Sequence, residues 1–326
     1  MTDSGEGFRR KLSTLGYSPE VIAAVWPEWW DTTAESSSSA TTELGMTIAR
    51  RLGIMPSSLF GDSTPRFAWR DEARYKNLGT TSVQEREILT SFATSLARTL
   101  IRATPQQVPY APGETAAAIR SVFNVRGIAQ LLTVTWALGI PVVQTRVFPL
   151  PRKRMHAVSA ALGDRHAIVL GAETQYPGKT AFTIAHELGH IFLGHLAGMS
   201  ALVDVDDPAT TDEDDEEAAA SRFALELLTG APTLDIVAAR DDYNAASLAA
   251  SAKAASEAYG IDPDVIILAF AYQHRDWPRA IAALRLLARP TEVGVHINRI
   301  ARGQLNWRGL YVDEQVYLDR VLGGQP

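Results

Sequence analysis

The chain has 326 residues, 46% of them hydrophobic and 21% charged, with a formal net charge of −6; that length allows two or three domains, and the apolar content can fill a core without disulfide or metal staples. Cysteine is absent, which excludes disulfides and thiolate metal sites, so any metal must be held by His, Asp or Glu. The acidic balance gives no global pull towards nucleic acid, and no uninterrupted apolar stretch is long enough to span a bilayer.

The first ten residues are polar and mixed in charge, without the apolar segment of a signal peptide, so the expected setting is the cytoplasm. From about residue 8 to 60 the pattern predicts several short helices. Phe8, Leu12 and Leu15 are helically spaced and stopped by Gly16, and Pro19 opens a second helix through Val21, Ile22 and Val25. The run Trp26-Pro27-Glu28-Trp29-Trp30 reads as a buried aromatic anchor. Glu35 to Thr42 reads as a Ser/Thr-rich connector, Leu44 to Leu52 as a helix closed by Gly53, and Pro56 to Phe60 as another short one. Ser82 to Ala103 predicts one long amphipathic helix, with Ile88, Phe92, Leu96 and Leu100 every four residues. Three prolines between Pro105 and Gly113 mark a candidate boundary, dividing the chain into a helical domain (1–105), a central domain (106–230) and a helical C-terminal region (231–326).

Within the central domain, Thr115 to Leu138 reads as helical and Ile140 to Val147 as a strand. His156–Leu162 and His166–Leu170 flank the turn residues Gly163-Asp164 as a hairpin, and Tyr176-Pro177-Gly178 reads as a loop. The segment that follows carries His186-Glu187-Leu188-Gly189-His190. On a helix, positions i and i+4 lie about 40° apart, so both histidines project from one face and can share one zinc ion. Glu187, beside that face, is placed to act as general base, and zinc lowers the pKa of a bound water to about 7. Ala181, Phe182, Ile184, Ala185, Leu188, Ile191 and Phe192 make the rest of this helix apolar. Buried histidines and a glutamate there need partners.

Catalytic zinc keeps three protein ligands and one open position. His195 misses the spacing of the H-E-x-x-H-x-x-G-x-x-H pattern and is placed behind the ligands or at the surface. Between Asp204 and Glu217 lie nine carboxylates. Glu217 opens an apolar helix, where a carboxylate suits the helix dipole, and Glu216 is its neighbour and competitor.

These residues resemble the ImmA/IrrE family of zinc metallopeptidases. The family pattern, a hairpin followed by F-T-x-A-H-E-L-G-H and then E-x-x-A-N-x-F-A-x-x-L-L, is matched by Phe182–His190 and by Glu217–Ala224 with Leu227-Leu228, Ser221 standing where Asn is usual. The resemblance covers about residues 140 to 230. It implies an α+β, mostly helical, zincin-like core with a small β-sheet, His186, His190 and Glu217 as ligands of Zn²⁺, and Glu187 as the catalytic residue. Thr47 to Ile54 with Leu59-Phe60 is similar to the later helices of Xre-type helix-turn-helix regulators. Residues 1–105 nevertheless hold 12 Lys/Arg against 12 Asp/Glu, which is no basic footprint for DNA. Ser247 to Tyr272 resembles the helical segment that follows the peptidase core in the family, and the last 50 residues match no pattern.

The expected function is a zinc-dependent endopeptidase with a narrow protein substrate, a repressor of the Xre type by family resemblance. His156, His166 and Tyr176 are candidates to stabilise the oxyanion. Two alternatives stand beside it: a regulatory or antitoxin-like binding protein on a peptidase scaffold, and a DNA-binding regulator using residues 1–105.

Overall fold

The computed structural model describes residues 4–31, 33–60, 66–68, 73–76, 82–105, 113–151, 155–199, 201–204, 215–234, 236, 243–287 and 292–324. Four short helices open the chain. α1 (Gly5–Thr14) starts behind Ser4, whose hydroxyl accepts from the Gly7 N–H, and α2 (Pro19–Val25) has proline at its first position behind Ser18. α3 (Ser38–Leu52) begins six residues before Leu44, because Ser37 accepts from the Ala40 N–H and starts the helix there. The serine run is therefore mostly cap and first turn, with a short 3-10 turn at Ala34–Ser36 before it. Gly53, at φ +68°, closes α3, and α4 is Pro56–Phe60. Of the three tryptophans in the aromatic run only Trp26 is buried; Trp29 is 39% exposed, and Trp30 lies against Gly5 of α1.

α5 (Val83–Ala103) is the expected long helix. It opens with a capping box in which Ser82 and Glu85 satisfy each other's backbone N–H groups, and Ile88, Phe92, Leu96 and Leu100 are buried along its length. The stretch expected as one helix after it is two, α6 (Ala116–Phe123) and α7 (Ile128–Ala137). Asn124 takes a left-handed conformation, φ 50°, at the break. Gly127 lies so close to Asp262 that a Cβ there would come within 2.5 Å of its carboxylate.

The sheet combines β1 (Ala73–Lys76), β2 (Val142–Gln144), β3 (Ala157–Leu162), β4 (Arg165–Leu170) and β5 (Ala201–Asp204) in the order β1-β5-β3-β4-β2. β3 is antiparallel to both β4 and β5, whereas the pairs β1–β5 and β2–β4 are parallel. The β3–β4 hairpin turns on Gly163-Asp164 as expected, with Gly163 at φ +65°. β3 is buried at every position from Ala157 to Ala161, as a strand between two helices requires: α5 packs on β3 and β4, and so does α8 (Pro177–Phe192). α9 (Asp215–Thr229) lies against α8. The candidate boundary residues 106–112 and the acidic residues 205–214 fall outside the described residues.

The C-terminal region is helical throughout its described length: α10 (Ala245–Tyr259), α11 (Pro263–His274), α12 (Trp277–Leu287), α13 (Val293–Gln304) and α14 (Val312–Val321). α11 packs on α8, and α13 closes the free side of β2. There Asn298 imitates a neighbouring strand: its Oδ1 accepts from the Gln144 N–H at 2.9 Å, and its Nδ2 donates to the Gln144 carbonyl at 2.7 Å. α14 returns to the first helices, where the buried Arg51 donates to the carbonyls of Val25 and Asp313 and pairs with the Asp313 carboxylate at 2.5 Å. One cluster of buried side chains runs from Phe8 to Leu322. No helix among the described residues is long and apolar enough to cross a membrane. The architecture is α+β and mostly helical, with the small sheet and the α8–α9 pair between the first and last helices of the chain.

Candidate metal centre

The motif sits on α8. Tyr176-Pro177-Gly178, expected as a loop, is the start of this helix, since Pro177 at the first position needs no N–H partner and has its φ preset. Ala181, Ile184, Ala185, Leu188 and Ile191 anchor α8 in the core. His186, Glu187 and His190 are buried with them, at 0%, 1% and 0% exposure. Burial of three polar side chains in one and a half turns is tolerable only where their hydrogen-bonding or ligating capacity is used.

α9 supplies the next group. The two helices touch at Gly189, where a Cβ would lie 3.0 Å from both the Cα and the carbonyl oxygen of Ala220. That contact brings Glu217, 3% exposed in the first turn of α9, over the histidine pair. The Nε2 atoms of His186 and His190 are 3.0 Å apart. Glu217 places Oε2 at 3.1 Å from His186 Nε2 and Oε1 at 3.3 Å from His190 Nε2. A tetrahedral ion with bonds of 2.0–2.1 Å has ligand atoms roughly 3.3 Å apart. The spacing and the His₂Glu donor set therefore fit a tetrahedral divalent metal ion. Glu216, the competing carboxylate, is half-buried and outside this convergent group.

Three further side chains back the group. Ser159, in the middle of β3, donates its hydroxyl to Glu187 Oε2. Ser221 Oγ lies 3.4 Å from His186 Nδ1. His195 Nδ1 lies 2.8 Å from His190 Nδ1. Each histidine thus turns Nε2 to the centre and Nδ1 to a supporting residue. The sequence left His195 either behind the ligands or at the surface, and its contact puts it behind His190; the contact of Ser159 was not read from the sequence. Ser159 had a weak signal there, as the one polar residue in the strand Ala157-Val158-Ser159-Ala160-Ala161.

The oxyanion candidates are dispersed. His156, just ahead of β3, has Nε2 3.1 Å from Thr183 Oγ1, one turn before His186 on α8. His166 lies in β4, and burial holds its imidazole neutral, with the pKa pushed down to about 4. Tyr176 is half-buried at the N-terminus of α8. Beside the metal group, an apolar cavity of about 260 Å³ is lined by Phe182, Ser221, Leu225, Val265, Leu268 and Trp277 among others.

Residues 137–260 match the family model described as the IrrE N-terminal-like domain, a peptidase family. No curated protein and no solved structure matches the chain. The matched span contains the β3–β4 hairpin, the histidine helix α8, the carboxylate helix α9 and all the groups that converge between them. The likeness to the ImmA/IrrE type of peptidase thus lies in this central domain.

Proposed function

We propose that the protein is a zinc-dependent endopeptidase of the cytoplasm that cleaves a specific regulatory protein, a repressor of the Xre type. The observation that carries the reading is the convergence of His186, His190 and Glu217 within 4.8 Å of one another, buried and with Glu187 beside them. The repressor substrate rests on the family resemblance of the two motif helices.

A zinc ion held by these three residues would supply Lewis acidity towards the scissile carbonyl and bring the pKa of a water to about 7. Glu187 takes a proton from the attacking water on its carboxylate and delivers it to the leaving amide nitrogen as the C–N bond breaks. The Ser159 hydroxyl holds one oxygen of that carboxylate and fixes its rotamer. Burial of the group strengthens each of these electrostatic contacts. The neighbouring apolar cavity has room for one large side chain of the polypeptide, given that cavities of about 150 Å³ already bind benzene.

The test is to incubate the zinc-loaded protein with purified repressors of the Xre type from the same genome and map the products by mass spectrometry. Cleavage at one bond, lost in Glu187→Gln with zinc still bound, supports the reading. An unchanged cleavage or derepression phenotype in zinc-loaded Glu187→Gln would sink it and favour a non-catalytic regulator on this scaffold.

A further inference from the structure

The end of α8 does more than stop a helix. Gly194, at φ +77°, follows the C-cap Leu193 and turns the chain back on itself. The Gly194 N–H donates to the Ile191 carbonyl at 3.2 Å, and the His195 N–H donates to the His190 carbonyl at 3.0 Å. That pair of bonds is a Schellman motif, which sets the side chain two residues past the cap against the one three residues before it. The contact is usually apolar. Here it joins two imidazoles, His195 and His190, with their Nδ1 atoms at 2.8 Å and their ring centres 5.0 Å apart.

Two facing ring nitrogens at hydrogen-bond distance share one proton, carried by one of them and accepted by the other. His190 directs Nε2 at His186 and Glu217, so with a metal there its proton must be on Nδ1. We infer that His195 is the positioning residue for His190: its Nδ1 accepts the His190 Nδ1–H, which fixes the ligand's tautomer and ring plane, and its own proton sits on Nε2. In most metal sites a carboxylate or backbone carbonyl takes this part. The C-terminal turn of the histidine helix provides it here, so the glycine that ends the helix also completes the site. The inference rests on the metal reading of His186, His190 and Glu217.

Zinc affinity measured by competition with a chromophoric chelator tests it without reference to peptidase activity. His195→Leu keeps an apolar Schellman contact, so the helix end is retained, but removes the acceptor; its affinity is expected to fall about 10- to 100-fold. His195→Asn puts Oδ1 where Nδ1 stood and is expected to stay within about threefold of the wild type. Long-range ¹H–¹⁵N spectra of the zinc-loaded protein are expected to show His190 protonated at Nδ1 and His195 at Nε2. Equal affinity in His195→Leu, or a proton on His195 Nδ1, overturns the inference while leaving the zinc reading intact. A wild type that binds no zinc overturns both.

Discussion

Two regions of this molecule bury charge, and they solve the problem in opposite ways. Where the last helix meets the first ones, Arg51 is buried with all that it needs: the carboxylate and carbonyl of Asp313, the carbonyl of Val25, and the ring of Tyr317 beneath its guanidinium at 4.8 Å. That seam brings its own cation and is complete when the chain has folded. In the centre between α8 and α9 the groups that converge, two imidazole nitrogens and a carboxylate, are all electron-pair donors. Such a set is complementary to a cation from outside. A third place shows what a carboxyl does with neither device. Asp264, near the start of α11, accepts from the Gly178 N–H at 3.4 Å; burial, helped by the charge of Asp262, raises its pKa to about 6. It holds its proton to a higher pH than an exposed carboxyl does.

The comparison can be broken most sharply at the centre. Glu187→Gln is expected to lower the cleavage rate about 10³-fold while leaving bound zinc unchanged, measured by single-turnover kinetics beside metal analysis. At the seam, Arg51→Leu leaves Asp313 without its partner and is expected to cost about 3 kcal/mol in urea unfolding. Arg51→Lys should recover little of this, because an ammonium cannot span the forked set of acceptors. Removing zinc with a chelator should cost about 2.7 kcal/mol relative to protein in zinc at 100 times its dissociation constant. That response should persist in Arg51→Leu, since the seam and the centre hold different cations.

The smallest effect concerns Asp264 and has a sign that distinguishes it from the seam. Its folded-state pKa lies above the ordinary 3.8, so the folded chain holds this proton more tightly than the unfolded one. Its contribution is most favourable below about pH 4 and is lost as pH rises to about 6. Asp264→Asn should match the wild type at pH 4 and exceed it by about 2 kcal/mol above pH 6.5, read from paired urea titrations. A wild type that gains stability across that window would place Asp264 with the paired carboxylates.

The histidine pair was legible in the sequence because both rings lie on one helix, where spacing alone fixes their relative direction. The β3–β4 hairpin and the long α5 were legible for the same reason: alternation, turn residues and four-residue recurrence are local signals. Glu217 needed more, since Glu216 has the same chemistry and only the family alignment separated them. Ser159 was hidden because its partner is 28 residues away and reaches it through sheet-on-helix packing. His195 was judged against a ligand spacing that it does not fit, while its place is set by the turn at Gly194. The Thr115–Leu138 stretch read as one helix, and the break comes where Asn124 turns left-handed and Gly127 meets Asp262, a contact with a residue far along the chain. The closing helices carry no motif, and what places α13 and α14 is their contact with β2 and with the first helices.

Gly189 bears on more than the packing of α8 against α9. With backbone against backbone at that crossing, the missing side chain sets the distance from the histidine pair to the glutamate, as the thickness of a shim sets a clearance. A methyl group there would meet Ala220 at 3.0 Å and push α9 outward by a few tenths of an ångström, carrying Glu217 with it. Ion radius is one of the ways proteins select metals. A slightly widened site would shift its preference towards larger divalent ions. The fourth residue of His-Glu-Leu-Gly-His, which touches no metal, thus has a share in deciding which one fits.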